Sequence, residues 1–167
     1  MFTISDTIHI NAPIERCFLL STQVELVEET LGIRPVEGKT EGRLEGGDKV
    51  LWSTWKFGLP HIHESVVTQY ERPAFFQDTM RRGRFKWYQH DHHFVEIDGQ
   101  TLLTDKVRFS LPLGWIGKKI GQHVMVPYVC KQMRKRLETL KRVAETVEWQ
   151  RFLPNECGDG VRERRRA

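Results

Sequence analysis

Two residues, Asp98-Gly99, separate two long runs (87–97 and 102–111) rich in β-branched and aromatic side chains. An Asp-Gly pair tolerates the positive φ angles of a two-residue hairpin loop, so the runs are expected to fold back on each other. Such a loop sets the register. Ile97 faces Gln100, and moving outward Phe94 faces Leu103, His92 faces Asp105, His90 faces Val107 and Tyr88 faces Phe109. Opposed residues share a sheet face. The face holding Phe94, Leu103, Val107, Phe109 and Tyr88 is the more apolar, so it turns to the core and takes His90, His92 and Asp105 with it. A one-residue slip would reverse that assignment.

The rest of the chain supplies what this hairpin packs against. Phe2, Ile4, Ile8 and Ile10 alternate with polar neighbours, the pattern of a half-buried strand. Pro13 suits the first turn of a helix that buries Ile14, Cys17 and Phe18. The run Thr22-Gln23-Val24-Glu25 has capping-box spacing and predicts a second short helix ending near Gly32. Residues 34–112 are punctuated by glycine and proline at hairpin intervals, with further strands expected over 50–57, 62–70 and 75–81. A three-residue loop around Gly83 would set Asp78 opposite His90. After the loop Pro112-Leu113-Gly114-Trp115, the residues Met133, Leu137, Leu140, Ala144 and Val147 form one helical stripe, and Pro127 should break the helix before it. The expected architecture is α+β: a curved antiparallel sheet of about seven strands around a long C-terminal helix, with two short helices after the first strand.

A chain of 167 residues suits one domain over 1–147, followed by a flexible extension over 148–167. The net charge of +4 is unevenly placed. Residues 117–147 hold eight Lys/Arg against two Glu, whereas residues 1–116 are net −3. This is a solvated helix face rather than a basic surface, and nucleic acid is not an expected partner. Three spread cysteines without CxxC, no membrane-length apolar run and no signal-peptide pattern point to a cytoplasmic protein. Cys17 and Cys130 are expected as small buried hydrophobes.

The segments Phe76-Gln77-Asp78, Gly83, Trp87, His90-Asp91-His92-His93-Phe94, Leu103-Thr104-Asp105 and Leu111-Pro112-Leu113-Gly114, in this order of elements, resemble the SRPBCC superfamily. That superfamily contains the START lipid-transfer, birch-pollen-allergen-like and polyketide cyclase/dehydrase-like proteins, and the likeness is greatest to a bacterial cyclase/dehydrase-like, ligand-binding subgroup. It extends over about residues 2–146 and implies a helix-grip fold with a cavity between sheet and helix. It carries no agreed reaction.

The leading expectation is binding of a hydrophobic small molecule, lipid- or polyketide-like. Trp52, Phe76, Met80, Tyr88, Phe94, Val107, Phe109 and Met133 would line the cavity, with His90, His92 and Asp105 as polar anchors; Trp55 and Trp87 are expected in core or cavity wall. The alternative is a cofactor-independent cyclase or dehydratase in which His90, His92, Asp105 and Asp78 supply general acid–base chemistry. The same residues could also be a satisfied polar patch that sets strand register. His61/His63 and His90/His92 have metal-ligand spacing, but a strand is expected between the two pairs, so neither a metal nor a cofactor is expected. The apolar loops Phe57-Gly58-Leu59-Pro60 and Leu113-Gly114-Trp115-Ile116 offer peripheral membrane contact as a further possibility. Oligomeric state is not legible.

Overall fold

The Asp98-Gly99 turn forms as its residue types require, with φ of 52° and 74°, in a computed structural model that describes residues 1–154 except Phe57 and the side chain of Lys56. Strands β6 (Trp87–Ile97) and β7 (Gln100–Ser110) pair in the expected register, with His92 opposite Asp105 and Phe94 opposite Leu103. They sit inside a seven-stranded antiparallel sheet ordered β1-β7-β6-β5-β4-β3-β2. The other strands are β1 (Phe2–Ile10), β2 (Arg34–Gly38), β3 (Lys49–Lys56), β4 (Leu59–Glu71) and β5 (Phe75–Arg82). Strand β5 separates β4 from β6, and Asp78 pairs with His90. The β5–β6 connection is wider than a three-residue loop, since the last registered pair is Thr79/Gln89.

Two short helices, α1 (Ile14–Ser21) and α2 (Val24–Leu31), follow β1. Pro13 stands one residue earlier than expected, as the cap of α1. Gly32 closes α2 in the left-handed region at φ 61°, a conformation that costs glycine little. The capping box does not form. Thr22 Oγ1 bonds back to the carbonyls of Phe18 and Leu19, and the Glu25 carboxylate accepts from the Gly42 amide. With α1 ending one residue before, the Thr22 hydroxyl is claimed by the helix behind it.

The C-terminal helix begins as α3 (Gly114–Ile120), widens through a π-helical turn (Gly121–Met125) and continues as α4 (Val126–Glu145). Pro127 lies in the first turn of α4. It has no N–H to give the turn behind and its ring crowds the carbonyl four residues earlier, so the helix is widened rather than broken. Gly121 sits against the Phe2 ring, where an added Cβ would come within 2.2 Å of a ring carbon.

Helix α4 buries Met133, Leu137, Leu140 and Ala144 against the sheet and against α1 and α2. Val147 lies past the helix end and is 78% exposed, so the stripe stops one position early. A short helix α5 (Trp149–Phe152) then packs back. Phe152 and Leu153 are buried in the main core, with the Arg16 guanidinium over the Trp149 ring. The packed body therefore extends beyond residue 147; the expected extension from Asn155, with Cys157, lies outside the described residues. Cys17 is fully buried. Cys130 is exposed, because it falls on the solvent side of α4.

Candidate functional site

The sheet's curvature leaves a cavity of about 250 Å³ between its inner face and helices α2 and α4. Most of its wall is apolar. Trp52, Phe76, Tyr88, Val107 and Met133 line it as expected, joined by Val27, Leu31, Ile33 and Val50. Trp52 is fixed by an indole N–H donated to Ser65 Oγ at 2.9 Å. Three residues expected in the wall are elsewhere. Phe94 packs against Phe18 with ring centroids 5.4 Å apart, and Phe109 packs against Phe2 and Phe85. Both sit under the short helices or the π-turn, where the sheet is closed off. Met80 lies where β5 has already parted from β6, with its sulfur against Gly83. Trp55 and Trp87 are on the surface, 68% and 39% exposed.

One stretch of wall is polar, built from Asp78 (β5), His90 and His92 (β6), with Asp105 (β7) and Arg136 (α4) behind and beside them. Each strand contributes its inward-facing members, so the pairing register decides their meeting. His92 Nδ1 lies 2.7 Å from Asp105 Oδ1, and His92 Nε2 lies 3.3 Å from Asp78 Oδ1. His90 Nε2 stands 3.3 Å from Asp105 Oδ2 but is not aligned for a hydrogen bond. Arg136 Nη1 donates to Asp105 Oδ2 at 3.0 Å, and its Nη2 donates to the Ser21 carbonyl at 3.0 Å. Phe76 stacks on His92 at 4.0 Å and holds the ring in plane.

Access divides the cluster. The Asp105 side chain is fully buried and that of His92 is 1% exposed, whereas the Asp78 side chain is 23% exposed and lines the cavity. Asp78, His90 and the exposed edge of Arg136 are therefore the groups a bound molecule would meet, and His92 and Asp105 hold them.

Burial pushes the Asp105 carboxyl up, but His92, Arg136 and His90 outweigh it and hold the group well below the usual carboxylate range. Burial likewise pushes Asp78 up, and its His92 contact with the nearby His90 and His63 brings it below its ordinary value. Desolvation lowers His90, with His92 adding to that, and Asp105 and Asp78 oppose it only in part. Desolvation also lowers His63, which lines the same cavity. Burial raises the Tyr88 phenol far above its ordinary value, so it stays a protonated donor.

Arg136 is the residue that sequence reading missed. It falls three residues after Met133 and four before Leu140, so a charge stands on the apolar stripe of α4. That was the available signal, since a charge on a core-facing stripe needs a buried partner. Asp78, His90 and His92 also present ligand atoms within 4.8 Å of one another, a spacing a metal could use. The Arg136 guanidinium 3.2 Å from His92 Nδ1 works against adding a cation there.

The model of the family described as polyketide cyclase / dehydrase and lipid transport matches residues 1–145. The chain belongs to that family. Among solved structures it resembles the di-domain ARO/CYC BexL from the BE-7585A biosynthetic pathway at TM-score 0.69 and 20% identity, covering 87% of this chain and 50% of that one. It also resembles Ara h 8.0201 (TM-score 0.63, 13% identity, 86% of this chain and 97% of that chain). A START superfamily protein from Mycobacterium smegmatis is similar too, at TM-score 0.56 and 16% identity over 83% of this chain and 98% of that one. These likenesses establish the SRPBCC helix-grip fold. No curated protein matches the chain in sequence. Among the described residues no helix is long and apolar enough to cross a membrane.

Proposed function

We propose that the chain binds a compact apolar molecule bearing one polar end, with its hydrocarbon against Trp52, Val107 and Met133 and its polar end at Asp78 and His90. The carrying observation is an apolar cavity with the Asp78 carboxylate set between histidines in one wall. A volume of about 250 Å³ is at the small end of ligand pockets, which favours one or two fused rings over a long acyl chain. The buried Ser21 hydroxyl on the cavity wall, which has no hydrogen-bond partner among the described residues, offers a further polar contact. Native mass spectrometry of the purified chain, alone and with 2-naphthol as a two-ring phenol, tests this reading. A bound adduct that Asp78→Asn weakens supports it; no adduct in either sample overturns it.

A second reading is turnover of that ligand, in keeping with the cyclase/dehydrase part of the family description. Asp78, held ionised, would take a proton from the carbon beside a carbonyl, while the Tyr88 phenol donates a hydrogen bond to the carbonyl oxygen. Incubation with a linear poly-β-ketone tests it. Turnover lost in Asp78→Asn with binding of naphthol retained supports the reading, and unchanged ketone with the native chain rejects it.

A further inference from the structure

Strand register gathers one set of loops at a single end of the sheet. Phe2 pairs with Phe109, Trp87 with Ser110, Glu64 with Arg82, and Lys56 with Leu59. The β3–β4 turn, the β5–β6 loop and the β7–α3 connection with α3 therefore share this end. Arg84 Nη2 donates to the Pro60 carbonyl at 3.2 Å and ties two of these loops together.

Two properties coincide there. Large apolar side chains stand in solvent: Leu113 and Trp115 are each 70% exposed, Trp55 68%, Leu59 50%, Ile116 45% and Ile120 42%. The charges around them are positive apart from Glu64, which stands opposite Arg82. Residues 81–86 contribute Arg81, Arg82, Arg84 and Lys86, residues 115–119 contribute Lys118 and Lys119, and no Asp or Glu occurs over 54–62, 81–89 or 106–137. Lys119 Nζ lies 5.6 Å over the Trp115 ring, so cation and aromatic form one unit. Phe85 in the β5–β6 loop and Tyr128 at the start of α4 line the cavity, which therefore reaches toward this end.

The geometry points to this end of the sheet as a docking face for a bilayer carrying anionic headgroups. A rim in which lysine and arginine far outnumber acids gains roughly 1 kcal/mol per net charge, about fivefold in affinity, near an anionic lipid surface. The apolar residues come from separate loops and protrude between the charges, so they match a fluid interface rather than the groove of a folded partner. Nucleic acid would satisfy the charges but leave Leu59, Leu113, Ile116 and Ile120 in water. A cavity that reaches a membrane-facing end also lets an apolar ligand pass between bilayer and protein with little time in water.

Flotation of the purified chain with vesicles of phosphatidylcholine alone, and of phosphatidylcholine and phosphatidylglycerol in equal parts, tests the inference. The expected result is flotation with the mixed vesicles only, lost in high salt. Trp115→Ser should weaken it, and Lys86→Gln/Lys118→Gln should weaken it about 25-fold, two charges at about fivefold each. None of these residues touches the cavity, so naphthol binding should persist in the variants and report an intact fold. Equal flotation with both vesicles, flotation with neither, or retention by duplex DNA in place of vesicles would overturn it.

Discussion

Arg136 of α4 reaches across the core to Asp105 of β7 at 3.0 Å, a buried ion pair that joins the helix to the polar part of the sheet. Its second nitrogen holds the Ser21 carbonyl at the end of α1, so one side chain links three elements at the cavity wall.

Removing one partner should cost far more than removing both. Arg136→Met leaves the Asp105 charge buried beside histidines alone, and is expected to destabilise the fold by about 3–5 kcal/mol. Arg136→Met/Asp105→Asn should fall short of the summed single losses by about 1 kcal/mol or more, measured by urea unfolding as a double-mutant cycle. Strict additivity would show that the pair does not couple.

Stability should decline on mild acidification. His63 and His90 are lowered in the folded state, chiefly by burial. Below their unfolded pKa of about 6.5 the unfolded chain binds protons that the folded chain refuses, so stability is lost as pH falls from about 7 toward 5. Asp78 and Asp105 are also depressed when folded. Their contribution is present above about pH 4 and is lost only as pH falls further, through the folded values. Urea midpoints of His90→Gln should fall less between pH 7 and 5 than those of the native chain.

Filling the cavity should separate binding from folding. Val67 is buried, lines the cavity and stands opposite Asp78 across the β4–β5 pair. Val67→Phe is expected to shift stability by no more than about 1–3 kcal/mol while abolishing naphthol binding, read by fluorescence titration. Binding that survived would place the ligand elsewhere.

The α3–π-turn junction should be intolerant of even one methyl group. Gly121→Ala sets a Cβ against the Phe2 ring and should lower thermal stability by several degrees, measured by circular dichroism.

What could be read beforehand and what could not follow from the range of each signal. The Asp98-Gly99 turn is local, and from it alone follow the His92–Asp105 pairing and the inward face of both strands. The misplaced residues each depend on a non-local fact. Phe94 and Phe109 do face inward, but whether an inward residue meets a cavity or a helix depends on where α1 and the π-turn lie. Trp55 and Trp87 alternate as core strands do, yet they stand at the sheet's end, where nothing covers them. The capping box failed because α1 ended too close to Thr22 to leave its hydroxyl free. Arg136 was visible only as an interruption in an apolar stripe, and its partners sit 31 and 44 residues before it, on strands whose place beneath the helix is set by the whole sheet.

The most direct test is an NMR titration of the isotopically labelled chain with 2-naphthol. A ligand seated between sheet and helix should give saturable shifts at Val107, His90 and Met133, absent in Val67→Phe and weakened in Asp78→Asn. Shifts confined to the outer face of the sheet, or no saturable shift at any residue, would contradict the account.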